Sequence, residues 1–227
     1  MTYKAAVSGL NLGGGKAVII ADPKKDKSEA LWRAFGRFVE GLAGRYITAE
    51  DAGTSVGDME FIRMETSHVV GISRALGGSG DPSPVTALGV FAGMRAAIEK
   101  QLGKTSFSGM RVAVQGVGHV GYHLVGHLLR AGAKVVVSDV DEENLRGAAT
   151  DFKVEVVAPE KIFGIECDIF APCAMGGILN EQSIPQLKCS IVAGAANNQL
   201  RDEKYDGARL AERKILYAPD FVVNAGG

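Results

Sequence analysis

Apolar positions recur along the chain with two different spacings. Short runs rich in Val and Ile have the composition of buried strands, whereas longer runs such as SEALWRAFGRFVEGL repeat apolar residues at helical spacing. From residue 111 onward the two patterns alternate, and we predict strands at RVAVQ, KVVVSD, VEVVA, CDIFAPC, SIVAGAAN and ILYAPD. Strands that alternate with helices in this way predict a parallel, doubly wound α/β sheet.

The first part of the chain also mixes strands and helices. We predict strands at KAVIIAD (residues 16–22), RYITAED and VVGI, and helices at SEALWRAFGRFVEGL, capped by Ser28, and at DMEFIRMET. GGSGDPSP at residues 77–84 holds two prolines and three glycines and indicates a hinge before the next helix. We therefore predict a partial catalytic or substrate α/β domain over residues 1–80. A Rossmann-type dinucleotide-binding domain is predicted over residues 81–227.

Composition excludes several classes of function. The 25 basic and 26 acidic residues are well mixed and leave a net charge of −1, so nothing indicates a nucleic-acid or anionic-membrane partner. The N-terminus lacks the apolar core of a signal peptide. Three cysteines without CxxC spacing disfavour a disulfide scaffold and fit a reducing compartment. We therefore expect a cytoplasmic protein.

The motif GVGHVG carries the clearest chemical signal. Gly116, Gly118 and Gly121 form G-x-G-x-x-G between a predicted strand and a predicted helix, and Asp139 ends the next strand. The glycines would make the tight turn, admit a pyrophosphate to the backbone and let the helix pack on the sheet. Asp139 would bind the adenosine ribose and repel a 2′-phosphate, which favours NAD over NADP. A tight turn without ligand is the alternative.

Other polar or small residues follow the predicted strands of the same sheet, where ligands bind in open α/β folds. Cys173 and Ala174 in APCA are candidate cofactor contacts, although Cys173 also suits a small buried position or a nucleophile. Asn198 in GAANN is a candidate for holding the nicotinamide or ribose, or for capping a loop.

Three histidines, His119, His123 and His127, lie four residues apart on the helix after GVGHVG. The spacing suits a metal, but no cysteine or carboxylate cluster completes a site. We expect these side chains to pack or to face solvent, and we predict no metal.

The stretch LNLGGGKAVII places three glycines directly before Lys16. It is not a P-loop, because Leu10 replaces the first glycine and Ala17 the final Ser or Thr. Lys16 is therefore either a surface cation after a turn or an acid–base group. Lys4 and the acids of TAED are further acid–base candidates, and the turn-like AEDAG also suits Asp51 as a helix cap.

Longer stretches resemble one enzyme family. MTYKAAVSGLNLGGGKAVI, GRYITAEDAGTSVGDM, GGSGDPSPVTALGV, VQGVGHVGYHL with SDVD, CDIFAPCAMGGILN and PDFVVNAGG are similar to the glutamate/leucine/phenylalanine/valine class of amino-acid dehydrogenases. The resemblance covers essentially the whole chain. It implies an enzyme that reversibly deaminates an L-amino acid to a 2-oxo acid, ammonia and NADH.

The resemblance also implies roles in the first domain. Lys4 would bind the substrate carboxylate, Lys16 would activate water, and Asp51 would relay protons. Gly13 and Gly14 would leave room for the substrate beside Lys16. A lysine can act as a general base near neutral pH only when burial or a second cation, such as Lys4, lowers its pKa.

For the second domain, the resemblance implies that Thr86 and Asn198 orient the nicotinamide and that Asp139 selects NAD. Leu12 beside the glycines favours an aliphatic substrate such as leucine, valine or isoleucine, with phenylalanine as the alternative.

Family chains extend beyond both ends of this sequence, so we expect a fragment that lacks both termini and part of the substrate pocket. We expect a homo-oligomer for the full-length protein. Two alternatives stay open: a catalytically incomplete NAD-binding module, and a dehydrogenase of 2-hydroxy acids.

Overall fold

The structure, a computed structural model, describes residues 1–227. The chain forms two compact units. The first comprises Met1–Ala5 and Asn11–Pro82, and the second comprises Ala6–Leu10 and Ser83–Gly227.

The first unit is built mainly from helices: the first four residues of α1 (Thr2–Val7), all of α2 (Glu29–Glu40) and α3 (Val56–Arg63), followed by a 3-10 turn at Arg74–Leu76. Ser28 caps α2 as predicted, because its hydroxyl accepts the Leu31 N–H at 3.2 Å. Helices α2 and α3 bury a small core that comprises Trp32, Met59, Ile62, Val69 and Ile72.

The predicted strand over residues 16–22 is wrong. This segment has no regular secondary structure, and the Ile20 side chain is fully exposed. RYITAED and VVGI contribute a single parallel bridge, between Thr48 and Val69. A strand requires a hydrogen-bonding neighbour, and β-branched composition alone supplies none.

The second unit contains a six-stranded parallel sheet, which confirms the predicted doubly wound fold. Its strands are β1 (Arg111–Gln115), β2 (Lys134–Ser138), β3 (Glu155–Val156), β4 (Ile169–Pro172), β5 (Ile191–Val192) and β6 (Leu216–Tyr217). Their order is β3-β2-β1-β4-β5-β6. The chain therefore changes direction across the sheet between β1 and β4, which is where such folds bind ligands.

Helices cover both faces of this sheet. They are α4 (Ser83–Leu102), α5 (His119–Arg130), α6 (Glu142–Phe152), α7 (Glu203–Glu212) and α8 (Asp220–Val223). Alternate residues of β1 point to opposite cores: Val112 and Val114 pack with α4 and α5, whereas Ala113 packs on the other face with Leu210 of α7. None of the helices combines the length and apolar character needed to span a bilayer.

Candidate functional site

Lys16 and Asp51 meet in the first unit, 35 positions apart in the sequence. Lys16 Nζ forms an ion pair with Asp51 Oδ2. The two side chains are 52% and 42% exposed, so the pair contributes little to stability. A lysine held against a carboxylate at a partly open surface is instead well placed for proton transfer.

Partial burial lowers the pKa of the Lys16 amine, because desolvation disfavours the charged form. Lys16 borders a cavity of about 250 Å³ whose lining is mostly apolar and includes Phe35, Phe38, Val39, Leu42 and Tyr46. The Asp51 carboxylate acts in the opposite direction, since a nearby negative charge stabilises the ammonium. Burial therefore favours the neutral amine of Lys16, whereas the ion pair with Asp51 favours its protonated form.

Asp51 is fixed by its own turn and does not cap a helix. Its backbone N–H donates to Thr54 Oγ1 at 2.8 Å, and its Oδ1 accepts the Ala52 N–H at 2.7 Å. The N-cap of α3 is Ser55, which pairs with Asp58 in a capping box. The helix-cap interpretation of Asp51 is thus wrong, and its second carboxylate oxygen is turned toward Lys16.

The three glycines before Lys16 have different surroundings. A Cβ on Gly13 would meet nothing within 4 Å, so this face is open. A Cβ on Gly14 would overlap the backbone nitrogen of Thr2, and one on Gly15 would lie 2.9 Å from the Tyr46 ring. Because these glycines carry no side chains, the segment can pack against the start of α1. Lys4 lies on this helix, and its side chain is half-buried.

The turn after β1 depends on its glycines. Gly116 has φ +95°, and a Cβ there would lie 2.7 Å from Ala174. A Cβ on Gly121 would overlap the carbonyl oxygen of Gly116. Gly118, by contrast, is open, with Asn144 Nδ2 as the nearest atom at 3.9 Å.

Gly118 is the N-cap of α5 and supplies no side-chain cap. The first N–H groups of a helix have no partner within the helix, so the start of α5 offers donors to an anion. Asp139, at the end of β2, lies beside this turn, since its Oδ2 accepts the Val117 N–H at 2.7 Å. A hydrogen bond therefore connects the Asp139 carboxylate directly to the glycine-rich turn.

Cys173 has a buried thiol, and burial raises its pKa to about 12. Its backbone N–H donates to Gln115 O at 2.7 Å, and its Cβ lies 3.4 Å from the position of a Cβ on Gly121. These contacts favour a packing role under the turn over a nucleophile.

The loop after β5 is held by α8. Asn224 donates through Nδ2 to Ala195 O and to Asn197 Oδ1, both at 3.0 Å. The backbone N–H of Asn198 donates to the Asp220 carboxylate, and Asn198 has a left-handed φ of +50° with an exposed side chain. The stretch PDFVVNAGG has no periodicity that singles out Asp220 or Asn224.

Thr86 lies half-buried in the first turn of α4. Helix α4 packs on α8, because a Cβ on Gly93 would clash with Val223 and one on Gly89 would lie 3.1 Å from the Val223 carbonyl oxygen. Helix α8 therefore packs on α4, the helix that carries Thr86, and the Asn224 side chain at its end is hydrogen-bonded to the loop that carries Asn198.

A cavity of about 550 Å³ opens at the ends of β1 and β4. Its lining includes Gln115, Gly176, Gly177, Asn180 and Arg201. Gln115 Oε1 is buried without a hydrogen-bond partner. Sequence reasoning missed these residues, because a polar residue at a strand end gives no signal unless the neighbouring loop is known.

Two of the three histidines of α5, His123 and His127, contact other side chains. His127 Nδ1 lies 3.1 Å from a guanidinium nitrogen of Arg130, and its ring packs 5.7 Å from Phe91. His123 packs edge-on against Tyr122, with ring centroids 5.7 Å apart.

Comparison with family models gives two matches. Residues 1–68 match the model described as "Glu/Leu/Phe/Val dehydrogenase, dimerisation domain". Residues 77–143 and 139–227 match the model described as "Glutamate/Leucine/Phenylalanine/Valine dehydrogenase".

Individual relatives agree with these models. The chain is 59% identical over all 227 residues to a leucine dehydrogenase of Thermoactinomyces intermedius and spans 62% of that protein's length. Among solved structures, an L-tryptophan dehydrogenase of Nostoc punctiforme matches with a TM-score of 0.75 and 46% identity, covering 100% of this chain and 63% of that one. A hetero-hexameric glutamate dehydrogenase of Thermus thermophilus matches with a TM-score of 0.83 and 28% identity, covering 100% and 60%.

Proposed function

Because the chain belongs to the glutamate/leucine/phenylalanine/valine dehydrogenase family, we propose that it carries out reversible, NAD-dependent oxidative deamination of an aliphatic L-amino acid. The products would be a 2-oxo acid, ammonia and NADH. The ion pair between Lys16 and Asp51 carries this proposal, because deamination needs a base that deprotonates water.

The proton steps fall to the first unit. Lys16, as the neutral amine, takes a proton from the water that adds to the oxidised substrate carbon. Asp51, in contact with Lys16 Nζ, receives or returns protons as the amino group leaves. Lys4 supplies a positive charge for the substrate carboxylate, and the open face of Gly13 leaves room beside Lys16.

The second unit fits a dinucleotide. The family is one of nicotinamide-dependent dehydrogenases. A bound nicotinamide would supply the hydride acceptor for oxidation at the substrate Cα. The open Gly118, the uncapped start of α5 and Asp139 would hold the pyrophosphate and the adenosine ribose. Cys173 and Ala174 would support the turn, and Thr86 and Asn198 would orient the nicotinamide.

Replacing Asp139 by asparagine is expected to weaken NAD binding about tenfold and to shift the preference toward NADP. The change removes a charge-assisted hydrogen bond to the ribose and the repulsion of a 2′-phosphate. Fluorescence titration with NADH and NADPH measures both effects. Asp141→Asn is the matched control, because Asp141 caps α6 and asparagine caps equally well. An unchanged ratio of NADH to NADPH affinity in Asp139→Asn would contradict the assignment.

The substrate class is tested directly by NADH production from L-leucine at alkaline pH, beside NAD titration by fluorescence. We expect turnover with leucine, valine and isoleucine to exceed that with phenylalanine or tryptophan, because Leu12 beside Gly13 favours an aliphatic side chain. In the reductive direction we expect an absolute requirement for ammonium, which a dehydrogenase of 2-hydroxy acids would not show.

The chain spans 62% of the length of the leucine dehydrogenase of Thermoactinomyces intermedius. NAD binding without turnover on any amino acid would contradict the enzymatic proposal and favour an NAD-binding module. We also propose a homo-oligomer, since residues 1–68 match a dimerisation-domain model.

A further inference from the structure

Two cysteines lie opposite each other just before the starts of two neighbouring strands, β4 and β5. Cys167 precedes β4 and Cys189 precedes β5. The ladder between these strands pairs Ile169 with Ile191, so counting back two residues on each strand places Cys167 opposite Cys189. The Cys167 N–H donates to Lys188 O at 3.1 Å, so backbone pairing continues to this point.

The geometry suits a covalent bond between them. Opposite residues of adjacent parallel strands lie about 4.8 Å apart, within the roughly 4.4–6.8 Å that disulfides span between Cα atoms. The paired register places the two side chains on the same face, and both pack against the same core. Both residues are half-buried rather than fully enclosed in the core.

The two sulfur atoms are chemically unequal. Interaction with the neighbouring Cys167 thiol lowers the pKa of Cys189, and the positive charge of Arg213 acts in the same direction. Arg213 is fixed by donating to Leu187 O at 2.6 Å. We therefore assign the first nucleophilic step to Cys189, the cysteine whose thiolate the Arg213 charge favours.

We propose that Cys167 and Cys189 are a modification site that a peroxide converts to an intrachain disulfide. The Cys189 sulfur attacks a peroxide oxygen, the O–O bond breaks, and a sulfenic acid and hydroxide form. The Cys167 sulfur then attacks the Cys189 sulfur, forming the S–S bond and expelling the second hydroxide. The two thiol protons and the two hydroxides yield two waters, so the cysteines lose two electrons and the peroxide gains them.

The bond would join β4 to β5 at the ends opposite the candidate cofactor residues. β4 leads at its other end into Cys173 and Ala174. Oxidation is therefore expected to stabilise the second unit without altering NAD affinity, and a thiol reductant should reverse it.

The test treats the folded chain with hydrogen peroxide, alkylates the remaining thiols in denaturant and maps tryptic peptides by mass spectrometry. We expect a linked peptide pair containing Cys167 and Cys189, with Cys173 alkylated. Cys173→Ala should leave the linkage intact, and Cys189→Ser should abolish it. The melting temperature of the oxidised chain should rise by roughly 5 °C and return after dithiothreitol.

Three results would overturn the proposal. The first is full alkylation of all three cysteines after peroxide treatment, which needs no variant to interpret. The second is a linkage that includes Cys173. The third is a linkage between two chains, recognised by its doubled mass on a non-reducing gel.

Discussion

Replacing Lys16 by methionine is expected to lower kcat for leucine deamination by about 10³-fold, within the range that general acid–base catalysis contributes. Methionine keeps an unbranched stem of similar length but cannot exchange a proton. NAD affinity should stay unchanged, because the candidate cofactor residues lie in the other unit. Steady-state kinetics and fluorescence titration measure the two effects separately.

Lys16→Arg distinguishes a base from a fixed charge. Arginine keeps the positive charge toward Asp51 but does not lose its proton in proteins. If Lys16 is the base, the arginine variant is as inactive as the methionine variant; if the lysine only supplies charge, activity survives. Lys25→Met is the matched control, since Lys25 is 80% exposed and pairs only with Asp22 among described ion pairs.

The pH dependence has a defined sign. The neutral amine is the active form, so kcat/KM rises as pH increases through the Lys16 pKa. Burial lowers that pKa, so the rise should be centred below the lysine reference value of about 10.4. Removing the Asp51 carboxylate with Asp51→Asn should move the rise to still lower pH, because the ammonium loses its partner. A rise at or above the reference value would contradict the assignment.

Replacing Gly121 by alanine is expected to destabilise the second unit by about 2 kcal/mol or more. The new Cβ would overlap the carbonyl oxygen of Gly116. This oxygen belongs to the backbone of the turn, so it cannot move aside as the end of a flexible side chain can. The higher helix propensity of alanine, about 1 kcal/mol, offsets only part of this cost. NAD affinity should fall as well, because the turn would be displaced.

Urea unfolding monitored by far-UV circular dichroism measures the decrease in the free energy of unfolding, and two glycine-to-alanine variants serve as matched controls. Gly147 lies in α6 with nothing within 4 Å of a built Cβ, so Gly147→Ala should stabilise by roughly 0.5–1 kcal/mol. Gly126 lies in the same helix as Gly121, and its Cβ would meet the Phe152 ring at an ordinary 3.5 Å. If Gly121→Ala were as stable as Gly126→Ala, the close approach of α5 to the turn would be refuted.

Much of the second unit was predictable from sequence. Its helices and strands follow one another with clear periodicity, and G-x-G-x-x-G followed by Asp139 specified which strand end carries the turn. The first unit was harder. Residues 16–22 have strand composition but no neighbouring strand, and the Val18 side chain is 81% exposed. Strand formation depends on non-local pairing that composition does not encode.

The sequence by itself determined the family and the doubly wound sheet and supplied the candidate site residues, because these depend on local periodicity and on motifs of fixed spacing. Only the tertiary structure decided which of those residues meet. It joined Lys16 to Asp51, tied Asn198 to Asp220 and set Cys167 opposite Cys189. Such contacts arise from packing and strand register between segments distant in sequence, and no local pattern records them.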